Sequence, residues 1–299
     1  MHIVFGDEVA SALENRTPIV ALESTVIAHG LPYPQNLETA LKLEEIIRSS
    51  GCVPATIAVF KGEFSVGLTS SQIERLATDP QILKISRRDL AIAAAQKLDC
   101  ATTVATTAFI AHRAGIEVFA TGGIGGVHRG FSADVSADLV ELARTPIVIV
   151  CSGAKIVLDL PATREWLETF GITVLGWQCD EMPAFYSRSS GLAVDRRVDS
   201  AKDVVSIANA RNELELSNAV LVTAPVPKEF EIERAELEDI LKDALELAAE
   251  QKISGKEITP FLLSEMSRRS DGRTLASNIA LLENNARVAA EIAAKYKPA

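Results

Sequence analysis

The chain has 299 residues, 47% of them hydrophobic and 23% charged, with a formal net charge of −10. That balance belongs to folded globular proteins, and the length suits two average domains or one large α/β unit. The acidic surplus argues against nonspecific binding to nucleic acid or to an anionic membrane, while leaving room for a local basic pocket that takes a small anion.

PIVALE (18–23) reads as a short buried strand ending in an acid, and NLETALKLEEIIRSSG (36–51) follows with helical spacing and a terminal glycine. PATIAVFKGEFSVGL (54–68) predicts two strands joined by a Lys-Gly-Glu turn. Helices are predicted over 71–79 and 87–98. ATTVATTAFIAHRAG (101–115) then runs into IEVFATGG (116–123), a strand that stops at glycines. A helix over 135–145 leads to the strand PIVIVCSG (146–153), a helix over 162–171 to ITVLGW (172–177), and a helix over 200–214 to AVLVTAPVP (219–227). The C-terminal third is helix-rich, with helices expected over 235–252, 260–270 and 277–297.

Strands alternating with helices of this length predict βαβ units, a mostly parallel central sheet and a single large α/β domain over 1–299. Cys52, Cys100, Cys151 and Cys179 are scattered without a C-x-x-C pair, so reduced thiols are expected rather than zinc or disulfides. The opening MHIVFGDEVASALENRTP has no basic segment before an apolar block, and apolar runs fall well short of ~18 residues. A cytoplasmic protein is expected.

In an open parallel sheet, ligands bind beyond the carboxyl ends of the strands, and several strand ends here carry unusual groups. Glu23 ends PIVAL, either as an acid salted to a neighbour or as a general acid raised by apolar surroundings; His29 follows in the same loop. TGGIGGVHRG (121–130) is glycine-rich enough for backbone amides to approach an anion, or for a tight turn. It satisfies neither G-x-G-x-x-G nor the P-loop spacing, which disfavours a nucleotide cofactor. In DVSAD, Asp134 and Asp138 either share a helix face that binds a hard divalent cation, or Asp134 caps a helix starting at Val135; the sequence alone favours the cap. Lys155, four residues past Cys151, either reaches for water or serves as an amine nucleophile, which needs its lone pair. Lys84, Arg87 and Arg88 form a basic cluster, a solvated face or a phosphate clamp.

Taken together, ALESTVIAHGLPYPQN, VPATIAV, KISRRDL, ATTVATT, VFATGGIGGVHRG, DVSAD, CSGAK, LETFGI, KEITPFLL and ASNIALLENNA closely resemble the pseudouridine-5'-phosphate glycosidase family, over about residues 17 to 290. The resemblance implies an α/β/α domain, a homotrimer and a divalent metal, usually manganese. It implies reversible lyase chemistry (a carbon-oxygen hydro-lyase) that splits pseudouridine 5'-phosphate and water into uracil and ribose 5-phosphate. By motif it makes Lys155 the covalent nucleophile, Glu23 the proton donor and Asp134 the metal-binding acid. Lys84, Val104, Ser136, Ala137 and Asp138 become substrate contacts, and Asn278 a further active-site contact. SAD occurs at 132–134 and at 136–138; the second copy is chosen because only it follows Asp-Val and precedes the LVELA helix.

Pseudouridine joins base to ribose through carbon, so the two-carboxylate scheme that protonates a heteroatom leaving group does not suffice. A neutral lysine could instead carry the opened sugar as a Schiff base while Glu23 protonates the departing carbon. Two competing readings are a Schiff-base sugar-phosphate aldolase, which would cut within the sugar chain, and a non-catalytic sugar-phosphate or nucleotide sensor, which would need no nucleophile.

Overall fold

Uninterrupted runs of branched apolar residues, such as IVAL (19–22) and VIVC (148–151), are buried at every position. Strands of that kind belong in a sheet covered on both faces, where alternation with polar residues is not required. A computed structural model describes residues 2–130, 133–253 and 258–296. Phe131 and Ser132 ahead of DVSAD, Lys256 and Glu257 of KEITPFLL, and Lys297 at the end of the last predicted helix lie outside the described residues.

In chain order the strands are β1 (Ile3–Phe5), β2 (Ile19–Leu22), β3 (Val53–Phe60), β4 (Glu63–Val66), β5 (Leu83–Ile85), β6 (Cys100–Thr102), β7 (Val118–Ala120), β8 (Val127–His128), β9 (Val148–Cys151), β10 (Leu158–Asp159), β11 (Thr173–Trp177), β12 (Arg196–Val198) and β13 (Val220–Thr223). The order β3-β2-β7-β9-β13-β11-β12 is parallel throughout. Val53–Thr56 of β3 pair with β2, and the rest of the strand pairs antiparallel with β4 and β6, which extend the sheet to β1 and β5. The expected mostly parallel α/β sheet is therefore present. Helix Arg273–Ala293 packs on β2, β7 and β9, and helix Val104–Arg113 on β2, β3 and β6. Among the described residues no helix is long and apolar enough to cross a membrane.

From β2 the chain passes to β3 on one side and later to β7 on the other, so the winding reverses between β2 and β7. Crevices at such switch points are where open α/β sheets take ligands. Glu23, Thr121 and Ser152 directly follow β2, β7 and β9, three adjacent strands. Backbone pairing continues past the last two. The amide of Thr121 donates to Val150 O (3.0 Å), Ser152 to Gly122 O (2.9 Å), Ile124 to Gly153 O (3.1 Å) and Lys155 to Ile124 O (3.1 Å). The loop carrying Lys155 is thus zipped to the glycine loop.

Most predicted helices and strands are present with shifts of one to four residues at their ends. Two helices shrink. The segment predicted over 135–145 is helical only at Ala137–Leu142, and that over 87–98 becomes a 3₁₀ turn, Arg87–Asp89, followed by Leu90–Ala95. The short strands β1, β5, β6, β8, β10 and β12 escape the sequence reading, because two or three residues carry no measurable period and are defined only by their pairing partners.

Gly153 illustrates how tightly the turn after β9 is built. It has φ +82°, and a Cβ there would lie 2.2 Å from the carbonyl oxygen of Pro183. Left-handed backbone and a rigid obstacle combine, so Gly153→Ala should cost about 2 kcal/mol or more. The check is a urea titration, in which the midpoint falls while the slope is unchanged.

Candidate active site

Glu23 is 6% exposed, an unusual degree of burial for a carboxylate. Its neighbour Ser24 anchors the strand end: the Ser24 hydroxyl donates to Ile57 O (2.7 Å) and accepts the Thr102 amide (2.9 Å), tying β2 to β3 and β6. The Thr121 hydroxyl donates to Glu23 Oε1 across the switch point. Burial pushes the Glu23 carboxyl above its ordinary value, and the nearby Asp138 charge adds to this. The Lys155 charge, the Thr121 hydrogen bond and the Lys84 charge draw it back only in part. A carboxyl that holds its proton above the usual range is the kind that can act as an acid.

Lys155 is half-buried and lines the same cleft as Glu23, rather than projecting from the surface into bulk water. Its backbone is fixed on both sides, by the bond to Ile124 O and by the Leu158 amide, which donates to the Lys155 carbonyl (3.0 Å).

The glycine loop is built differently from the anion cradle that its composition suggests. The amides of Ile124, Gly125, Val127 and His128 donate to Gly153 O, Asp138 Oδ2, Thr163 Oγ1 and Asp134 O, so these four are spent within the protein. A Cβ on Gly123 would meet the Phe185 ring at 2.7 Å, one on Gly125 the Ser136 hydroxyl at 2.3 Å, and one on Gly126 the Thr163 hydroxyl at 2.3 Å. The glycines allow close packing. Arg129 is likewise spent on the carbonyls of Leu158 (3.1 Å) and Ile156 (3.4 Å), whereas His128 lines the cleft.

DVSAD separates into distinct jobs. The expected cap at Asp134 is corrected: Ser136 is the N-cap, its hydroxyl accepting the Asp138 amide (3.2 Å), and the helix begins at Ala137. Asp134 and Asp138 therefore do not share a helix face. Asp138 is buried, with Oδ1 accepting the Ala105 amide (2.9 Å) and Oδ2 the Gly125 amide (2.8 Å). It thus caps the helix Val104–Arg113 from outside and holds the glycine loop against it. Asp134 is exposed on the cleft wall.

The cleft has a volume of about 420 Å³. Of the residues singled out in the sequence, Glu23, Lys84, Val104, Asp134, Ser136, Ala137, Asp138 and Lys155 all line it. Val104 is 1% exposed, so little of its side chain faces the cleft. The basic cluster divides: Lys84 and Arg88 line the cleft, while Arg87 pairs with Glu141 and stacks over the Phe109 ring at 3.8 Å. Asn278 lies outside this cleft, in an adjoining chamber of about 40 Å³ that shares Glu23, Thr25, Lys84, Lys155 and Thr259 with it and is otherwise walled largely by Val26, Phe185, Pro260, Leu263 and Leu282.

Among the described residues no group of three His, Cys, Asp or Glu side chains is placed to chelate a metal. Asp134 offers one exposed carboxylate on the cleft wall, so a hard divalent ion held there would take most of its shell from water. Two groups that the sequence reading passed over belong to the site. Thr121, the polar residue directly after β7, partners Glu23; the Thr25 hydroxyl is buried beside both chambers without a hydrogen-bond partner among the described residues. The available signal was positional, since Thr121 ends a strand adjacent to the one that ends at Glu23.

A family model described as Indigoidine synthase A like protein matches residues 8–295. The chain is 51% identical over 293 residues to the pseudouridine-5'-phosphate glycosidase of Geobacillus kaustophilus, covering 97% of each chain. Among solved structures it is similar to an indigoidine synthase A-like protein from Thermotoga maritima, with TM-score 0.92 and 39% identity over 99% of this chain and 97% of that one. It is also similar to the prealnumycin C-glycosynthase AlnA in complex with ribulose 5-phosphate, with TM-score 0.91 and 38% identity over the same shares. By sequence across nearly its whole length and by fold, the chain belongs to the indigoidine synthase A-like family that includes the pseudouridine-5'-phosphate glycosidases.

Proposed function

We propose that this protein cleaves the carbon–carbon glycosidic bond of pseudouridine 5'-phosphate, giving uracil and ribose 5-phosphate with uptake of water, through an imine on Lys155. The observation that carries the reading is that a half-buried amine and a buried carboxyl, whose pKa burial raises, line the same two chambers. The names of the relatives and the sugar phosphate bound by a structural neighbour agree with it.

In the proposed sequence the lone pair of the Lys155 nitrogen attacks C1' and displaces the ring oxygen, which takes up the proton that the nitrogen sheds and leaves as the 4'-hydroxyl. The bond from C1' to uracil C5 then breaks. Its electrons go to C5, which takes the Glu23 proton, while the nitrogen lone pair closes the C=N bond. Water adds to the imine carbon and expels Lys155, and the ionised Glu23 recovers its proton from the released ammonium. Ribose 5-phosphate leaves as the aldehyde.

The larger chamber, with Lys84, Arg88 and His128 on its wall, suits the sugar phosphate, and the apolar side chains around the adjoining chamber offer a face for the base. Asp138, with both oxygens engaged, would keep the helix end and the glycine loop in place and add negative charge near Glu23. Asp134 would hold a divalent ion, manganese by resemblance, whose charge would orient bound water and substrate hydroxyls. A homotrimer in the cytoplasm is proposed on resemblance alone.

Borohydride added during incubation with ribose 5-phosphate should leave a reduced sugar on Lys155, found by peptide mass spectrometry. Lys155→Ala should lose both the adduct and the release of uracil, and turnover with no trappable adduct would refute the imine. A Schiff-base aldolase would yield fragments of the sugar in place of the free base.

Because the folded Glu23 carboxyl titrates above its unfolded value, its favourable contribution is present below the unfolded pKa and is lost as pH rises through the folded one. Glu23→Gln should therefore melt above the wild type at pH 7, with the gap closing towards pH 4. Its kcat should fall by about 10²–10⁴. A lower melting point at pH 7 would contradict the assignment.

Asp134→Asn should weaken manganese binding in titration calorimetry by about tenfold or more without moving the melting point of the metal-free protein.

A further inference from the structure

Asn285 is fully buried in the helix Arg273–Ala293, yet it touches neither chamber. Its side-chain amide donates to the carbonyls of Thr121 (2.9 Å) and Gly122 (3.4 Å) and to Ser152 Oγ (3.1 Å). The Ser152 hydroxyl donates in return to Asn285 Oδ1 (3.3 Å). One side chain therefore spans the ends of β7 and β9. These ends carry the two halves of the chemistry: Thr121 bonds to the Glu23 carboxylate, and Ser152 lies three residues before Lys155.

We propose that Asn285 is a positioning residue, which by bridging Thr121 and Ser152 sets the separation between the proton donor Glu23 and the amine of Lys155 without itself meeting substrate. The inference rests on the function proposed above. An apolar side chain of similar size would fill the same space. What only the amide supplies is a donor for the Thr121 carbonyl, which costs about 1–3 kcal/mol when left unpaired, while the Gly122 carbonyl also accepts the Ser152 amide. The same helix presents Asn278 to the smaller chamber, seven residues and two turns earlier, so the bridge also sets that wall against the strand ends.

A positioning group differs from a merely stabilising one in its kinetic signature. Its loss misaligns reacting atoms that are still bound, so kcat falls while KM holds. Asn284 supplies the comparison, since it donates from the same helix to Pro225 O (3.3 Å), away from both chambers.

The experiment measures uracil release from pseudouridine 5'-phosphate, together with thermal midpoints, for wild type, Asn285→Leu, Ser152→Ala and Asn284→Ala. We expect kcat to drop about 100-fold in Asn285→Leu and about tenfold in Ser152→Ala, with KM within about threefold of wild type. Asn284→Ala should lose thermal stability but keep its kcat. An unchanged kcat in folded Asn285→Leu, or a rise in KM alone, would overturn the proposal; should that variant fail to fold, Ser152→Ala decides by the same criterion. A wild type that releases no uracil strikes the proposed function and the positioning role with it, whereas an active wild type with indifferent variants strikes the positioning role alone.

Discussion

The rest of this structure depends on a carboxyl group buried at the end of a parallel strand beside a lysine. Removing charge from water is costly, and an acid so placed either finds compensating partners or keeps its proton. Glu23 does some of each. Thr121 and Lys155 favour its ionised form, but burial outweighs them and the proton is held above the usual carboxylate range. That balance requires the carboxyl to stay where it is, and the surrounding hydrogen bonds ensure it. Ser24 pins the strand end to β3 and β6, the zipped loops past β7 and β9 fix the approach of Lys155, and Asn285 ties those loops together.

Close packing explains why so many glycines gather here. Gly123, Gly125 and Gly126 lie where a methyl group would strike Phe185, Ser136 or Thr163. The loop thereby brings the Gly125 amide to Asp138, and the same carboxylate reaches the first turn of the helix Val104–Arg113. A single acid thus serves as helix cap, loop anchor and source of negative potential near Glu23. Its neighbour Asp134 makes no such commitments and remains exposed at the cleft, the condition that a metal-binding carboxylate needs.

The two chambers share Glu23, Thr25, Lys84, Lys155 and Thr259, so the acid and the amine both stand where the chambers meet. One chamber mixes basic, acidic and hydroxyl groups with apolar side chains, and the other is walled mainly by apolar side chains.

The sequence by itself determined the alternation of strands and helices, because burial of a parallel sheet demands long apolar runs and helical faces demand their own period. It also placed Glu23 and Lys155 at strand ends, and the combination of their motifs was specific enough to imply a family. Three things were decided only by the tertiary structure. Short strands such as β5 and β8 exist through their partners and leave no periodic trace. The roles within DVSAD depended on where the helix began, which turned on Ser136 rather than Asp134 accepting the capping hydrogen bond. The importance of Thr121 and Asn285 was illegible because a polar residue acquires its meaning from what lies across from it, and those partners are 98 and 164 residues away along the chain.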